Sequence, residues 1–173
     1  MTIFHDQTGA VGAPAILTPE TQQAIWFLGA LIHIRAGGDE TGGRLAIVEH
    51  YAERGLASPV HRHRVDDETF LVLEGELRIE VDGRARAAGA GAVAFLPHAL
   101  PHAFVVTSPQ ARYLTIHTPA GFGQFAVTAG TSVGPTGIPP DPAPSLRWPP
   151  STESRSWAHR LLRDGTTTSG QED

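Results

Sequence analysis

The sequence predicts an all-β domain, a barrel or sandwich of about eight or nine short antiparallel strands. Between Trp26 and Val127, short apolar stretches are broken by Gly, Pro or Asp-Gly, and several alternate apolar and polar residues with the period of a strand. The 19 Gly and 14 Pro, against 18% charged residues, favour turns over long solvated helices. A chain of 173 residues, 40% of them hydrophobic, can bury one core but not two.

In order, strands are expected over residues 28–35, 44–53, 60–64, 69–74, 76–81, 92–97, 102–107 and 112–118, with a further short one over 123–127. Glu74-Gly75-Glu76 reads as a tight reversal, and Val81-Asp82-Gly83-Arg84 as a hairpin turn whose Gly supplies the positive φ. Half of the prolines lie beyond Gly130, so no regular element is expected there before Ser151. From that point Ser151-Thr152-Glu153 would cap a short helix running to about residue 163, and Gly165 would end it. The chain therefore divides into an N-terminal arm (1–25), a barrel (26–128), a Pro/Gly-rich linker (129–152), and a short helix with a disordered tail (153–173). Ile16, Leu17 and Ile25 of the arm, with Trp26 next to it, would cover a sheet edge, either on their own barrel or on a second copy.

Composition narrows the chemistry. There is no Cys, which excludes disulfides, thiolate nucleophiles, iron–sulfur clusters and Cys-based zinc sites, so any metal must rest on His and carboxylates. All 13 basic residues are Arg, and 18 acids leave a net charge of -5. Together with a pI near 6.0, this argues against nucleic acid or an anionic membrane as partner. The N-terminal stretch carries no basic residue ahead of its apolar positions and no run has the length of a membrane span, so a cytoplasmic protein is expected.

The informative segment runs from Gly55 to Gly75. His61 and His63, two apart on a strand, face the same way and can reach one ion. Glu68 follows a short acidic turn, close enough to add a carboxylate oxygen. Pro97-His98-Ala99-Leu100-Pro101 then forms a rigid turn that would deliver His102 onto a neighbouring strand. The spacing of Gly55, His61, His63, Glu68 and Gly75 resembles the first signature motif of the cupin superfamily without a gap. Gly91, Pro97 and His102 match part of the second motif, with Ala99 where Gly is usual and Val106 where Asn is usual. Within that superfamily the chain is most similar to bacterial single-domain proteins of the quercetinase type.

The resemblance implies a jelly-roll barrel, a homodimer, and one divalent metal held by His61, His63, Glu68 and His102. Three imidazoles and a carboxylate suit Fe(II), Mn, Co, Ni, Cu or Zn rather than Ca or Mg. The implied activity is dioxygenation of a flavonol-like or other enolisable, phenolic aromatic substrate, with Glu68 also acting as general base. Phe70 and Val72 share the strand face of Glu68, and Phe104 and Val106 that of His102, so these four are expected as an apolar substrate wall. The rival readings are a non-redox cyclase or isomerase using the metal as Lewis acid, and a ligand-binding barrel without turnover. His5, His33, His50, His98, His117 and His159 read as ordinary surface or core residues, Asp66 and Asp67 as a solvated turn, and Arg35 and Arg112 as surface charge.

Overall fold

Alternation in the sequence becomes alternation in burial. The computed structural model describes residues 14–133, and among them ten antiparallel strands form. They are β1 (Gln23–Phe27), β2 (Ala30–Ala36), β3 (Ala46–Glu53), β4 (Asp67–Glu74), β5 (Glu76–Val81), β6 (Arg84–Gly89), β7 (Val93–Leu96), β8 (His102–Val106), β9 (Gln110–Thr118) and β10 (Thr131–Ser132). Two α-helices, α1 (Gly38–Thr41) and α2 (Phe122–Ala129), join them, and a single 3-10 turn over Pro19–Thr21 precedes β1. A seven-stranded sheet, ordered β10-β1-β2-β3-β9-β4-β7, faces a three-stranded sheet, β6-β5-β8. Together they make the jelly-roll barrel. Every second residue points inward: β4 buries Glu68, Phe70 and Val72, and β9 buries Ala111, Tyr113, Thr115 and His117. Ile25, Ile32, Val48, Phe70, Leu77, Leu96 and Val106 fill the space between the sheets. Each such large side chain contributes about 1.5–3 kcal/mol of transfer free energy.

The remaining structure departs from expectation in definable places. Residues 60–64 form no strand; His61 makes a single bridge to His102, because the preceding Pro59 has no N–H to extend a ladder. Residues 123–127 lie in α2 rather than a strand. Phe122, Phe125, Ala126 and Ala129 recur every three to four residues, and docking that face on Phe27 outweighs the local β propensity. β6 was not expected, since Arg-Ala-Arg-Ala-Ala-Gly has little β propensity. It forms by pairing residue for residue with β5 across the Asp82-Gly83 turn. Gly75 is no hairpin reversal but a corner, because β4 and β5 belong to different sheets. Its φ is +77°, and a Cβ there would stand 2.2 Å from the Gln110 carbonyl oxygen, so only Gly fits. β1 begins at Gln23, so the arm–barrel boundary expected at residue 26 falls inside a strand, and Ile25 packs in its own barrel. Of the linker expected over residues 129–152, Ala129 ends α2 and Thr131–Ser132 form β10 by pairing with Ile25 and Trp26 of β1; residues 134–152 and the helix beginning near Ser151 lie outside the described residues.

Candidate metal centre and ligand cavity

The cluster is assembled by backbone first. The His61 N–H donates to the His102 carbonyl at 2.9 Å, and the His102 N–H returns the bond at 2.8 Å. The Pro97–Pro101 turn is tied to the same loop, with the Ala99 N–H donating to the His63 carbonyl at 2.9 Å. Ala99 has φ +65°, so the turn keeps the left-handed backbone that the usual Gly would supply, now with a Cβ. Glu68 stands inward on β4, in register with His117 of β9.

These contacts bring His61, His63, Glu68 and His102 together, with one candidate ligand atom from each lying within 4.8 Å of the others. Ligands at about 2.0–2.2 Å from a common ion span nearly that distance. The outer ring nitrogens are already engaged. His61 Nδ1 donates to the Pro59 carbonyl at 2.9 Å and His102 Nδ1 to the Leu100 carbonyl at 3.0 Å. His63 Nδ1 lies 3.2 Å from Asp66 Oδ2. A carbonyl can only accept, so Nδ1 carries the proton in His61 and His102, which leaves Nε2 free to ligate. His102 Nε2 is buried without a hydrogen-bond partner and stands 3.2 Å from Glu68 Oε2. A buried, unprotonated nitrogen aimed at a carboxylate is what an ion would relieve, so this donor set fits a divalent transition metal.

The electrostatics agree. Burial pushes the Glu68 carboxyl up, but the imidazoles of His102 and His63 beside it prevail and hold it well below the usual carboxylate range. Glu68 in turn raises His63 against its desolvation. Burial lowers His61.

A cavity of about 370 Å³ opens beside the cluster, lined by His61, His63, Asp66 and Glu68 on one side and by Phe27, Leu56, Phe104, Phe122 and Phe125 elsewhere. Of the four residues expected as its apolar wall, Phe104 lines it. Phe70, Val72 and Val106 do not: all three are buried in the core. Phe70 is occupied by ring contacts with Phe104 and Tyr113, at 5.4 and 5.8 Å between centroids.

Several residues that read as ordinary in the sequence stand at the site. Asp66 is not on a solvated turn; its Oδ2 lies between His63 Nδ1 and His117 Nδ1, the latter at 3.3 Å. Thr115 Oγ1 then lies 3.2 Å from His117 Nε2 and 2.9 Å from His50 Nε2. Burial pushes the His50 imidazole down to about 3. Tyr113 and His50 stack at 4.7 Å and also line the cavity. The available signal was polar residues on the inward face of β9, where Tyr113, Thr115 and His117 alternate with apolar outward positions. Asp67 is held by His98 at the rim, accepting from its ring and its backbone N–H. Arg35 and Arg112 are not free surface charges, since both pair with Glu49.

A jelly-roll barrel whose inner wall carries three imidazoles and a carboxylate is the architecture of a cupin. Residues 47–117 match the Cupin domain family, so this segment of the chain resembles a cupin. Quercetin 2,3-dioxygenase of Bacillus subtilis is 32% identical over 82 residues, which cover 47% of this chain and 24% of that protein. The chain thus matches well under two thirds of that relative's length. Among solved structures, KdgF from Halomonas sp. superposes with a TM-score of 0.56 at 20% identity, over 64% of this chain and 99% of that one. An RmlC-like cupin from Shewanella frigidimarina gives 0.55 at 22%, over 64% and 95%. The Mn(II)-containing oxalate decarboxylase of Bacillus subtilis gives 0.53 at 16%, over 72% and 35%. These three likenesses are of fold. Among the described residues no helix is long and apolar enough to cross a membrane.

Proposed function

We propose that the chain is a metal-dependent dioxygenase of a flavonol-like or other enolisable, phenolic aromatic compound, with one divalent transition metal on His61, His63, Glu68 and His102. The observation that carries this reading is the pairing of a pre-oriented donor set with an aromatic-walled cavity. The relative named quercetin 2,3-dioxygenase supports the same chemistry. When bound, such an ion would supply Lewis acidity and redox chemistry toward the substrate and dioxygen.

The chain's own side chains do the rest. Pro59 and Leu100 carbonyls and the Asp66 carboxylate orient the three imidazoles, so their Nε2 atoms need no reorganisation. Phe27, Phe104 and Phe122 form flat apolar surfaces that receive an aromatic ring and keep water away from the reacting oxygen. Glu68 lines the same space, and its carboxylate would accept the hydroxyl proton of the bound enol, leaving it anionic.

We further assign a homodimer, because Val93 and Phe95 on edge strand β7 are 66% and 59% exposed. The test is elemental analysis of the purified protein followed by oxygen-electrode assays with flavonols, with product mass recorded. Oxygen uptake with ring-opened product supports the reading. Product of unchanged oxygen content identifies a Lewis-acid cyclase or isomerase instead, and bound ligand without turnover identifies a binding protein. Glu68→Gln that keeps its metal and full turnover would remove Glu68 as base.

A further inference from the structure

We propose that Tyr113 is a second anchor for the bound molecule: its hydroxyl donates a hydrogen bond to a ligand oxygen remote from the one facing the His–Glu cluster. The ligand class is then a flat aromatic compound with an oxygen function toward each end. This rests on the cluster-facing orientation proposed above.

Tyr113 is fully buried, lines the cavity, and its hydroxyl has no hydrogen-bond partner. Its ring cannot turn to find one. His50 stacks on it at 4.7 Å with the planes 3° apart, Phe70 lies against it at 5.8 Å, and Phe104 meets it edge-on at 5.7 Å. His50 is itself pinned by Thr115. On β9, Tyr113 precedes His117 by four residues, and β4 shows the same offset, with Val72 opposite Tyr113 and Glu68 opposite His117. Four strand residues separate their backbones by about 13 Å, so Tyr113 and Glu68 spring from different levels of the inner wall. Burial holds the phenol protonated well above its ordinary range, which keeps it a donor. A fixed, orphaned donor among aromatic walls is costly unless something entering the cavity accepts from it.

Tyr113→Phe removes one oxygen and keeps the ring. The metal-loaded protein and this variant are titrated calorimetrically with two probes, flavonol and a flavonol carrying one further hydroxyl on its outer phenyl ring. The wild type is expected to bind the hydroxylated probe about tenfold more tightly, and Tyr113→Phe to erase that preference without changing metal content. Without ligand, Tyr113→Phe is expected to melt about 3 °C higher, because an unsatisfied buried hydroxyl is gone. Equal loss of affinity for both probes, an unchanged preference, no binding of either probe, or a lower melting temperature overturns the assignment. Oxygen uptake is recorded in parallel. A preference lost in the variant with no uptake by the wild type leaves Tyr113 standing and removes the dioxygenase reading; uptake with an unchanged preference does the reverse.

Discussion

Replacing Asp66 with Asn changes one atom and the charge of a group that contacts two imidazoles at once. Its Oδ2 stands 3.2 Å from His63 Nδ1 and 3.3 Å from His117 Nδ1. The His117 hydrogen bond is the main reason the Asp66 carboxyl lies below the usual carboxylate range. A hydrogen bond to a charged acceptor is worth about 1.5–3 kcal/mol and a neutral one about 0.5–1.5. The substitution therefore costs about 1–1.5 kcal/mol at the His117 hydrogen bond and removes the charge attraction that holds the His63 ring. Only the His63 contact bears directly on a ligand nitrogen, so the loss in metal affinity is about tenfold. Asp66→Ala leaves both imidazoles without an acceptor and extends the loss toward about a hundredfold. The assay is competition between the protein and a chromophoric chelator for Zn(II) or Co(II) at fixed pH. Wild-type affinity in both variants would refute the reasoning, and binding of two ions per wild-type chain but one per variant would instead make His63, Asp66 and His117 a second metal site.

Gly75→Ala is expected to destabilise the barrel by about 3 kcal/mol or more, read as a lowered urea midpoint, because the new Cβ meets the Gln110 carbonyl at 2.2 Å on a left-handed backbone. An unchanged midpoint would contradict the corner geometry. Ala99→Gly relieves the left-handed Ala at a small cost in unfolded-chain entropy, for a net gain of about 0.5–1 kcal/mol in thermal unfolding. A loss of stability would show the Cβ to be useful. His50 titrates near 6.5 when unfolded but is pushed to about 3 when folded, so the unfolded chain binds the extra proton. Stability is then full above about pH 6.5 and falls as pH drops toward 3, by up to about 1.4 kcal/mol per unit. His50→Phe, measured metal-free by denaturant titration across that range, is expected to flatten the slope; an unaltered slope places the titration elsewhere.

The most legible strands were those whose pattern repeats within the strand itself. β4, β5 and β9 keep strict alternation, and the barrel's inward face follows directly from it. β6 and α2 were not legible, because Arg-Ala repeats and a Phe/Val-rich segment carry the wrong local propensity and are decided by what they pack against. The same divide runs through the site. His61, His63 and Glu68 stand within eight consecutive positions, so their spacing alone suggests a shared ion. His50 and Thr115 are 65 residues apart and meet only through the β3–β9 register. Asp66 is a turn residue by composition and a partner of two histidines by fold. Tyr113 looks like core from the sequence, and nothing local reveals that its hydroxyl is orphaned.

The α2 wall of the cavity and its chemistry are wired together through stacked rings. Phe122, at the start of α2, lies face to face with His117 at 4.5 Å, and His117 shares the Asp66 oxygen with His63. Swinging that helix outward to admit a bulkier guest would peel Phe122 from His117 and slacken the grip on His63. The size of molecule let in and the firmness of the ion's seat are thus set by one mechanical linkage, and neither can be retuned alone.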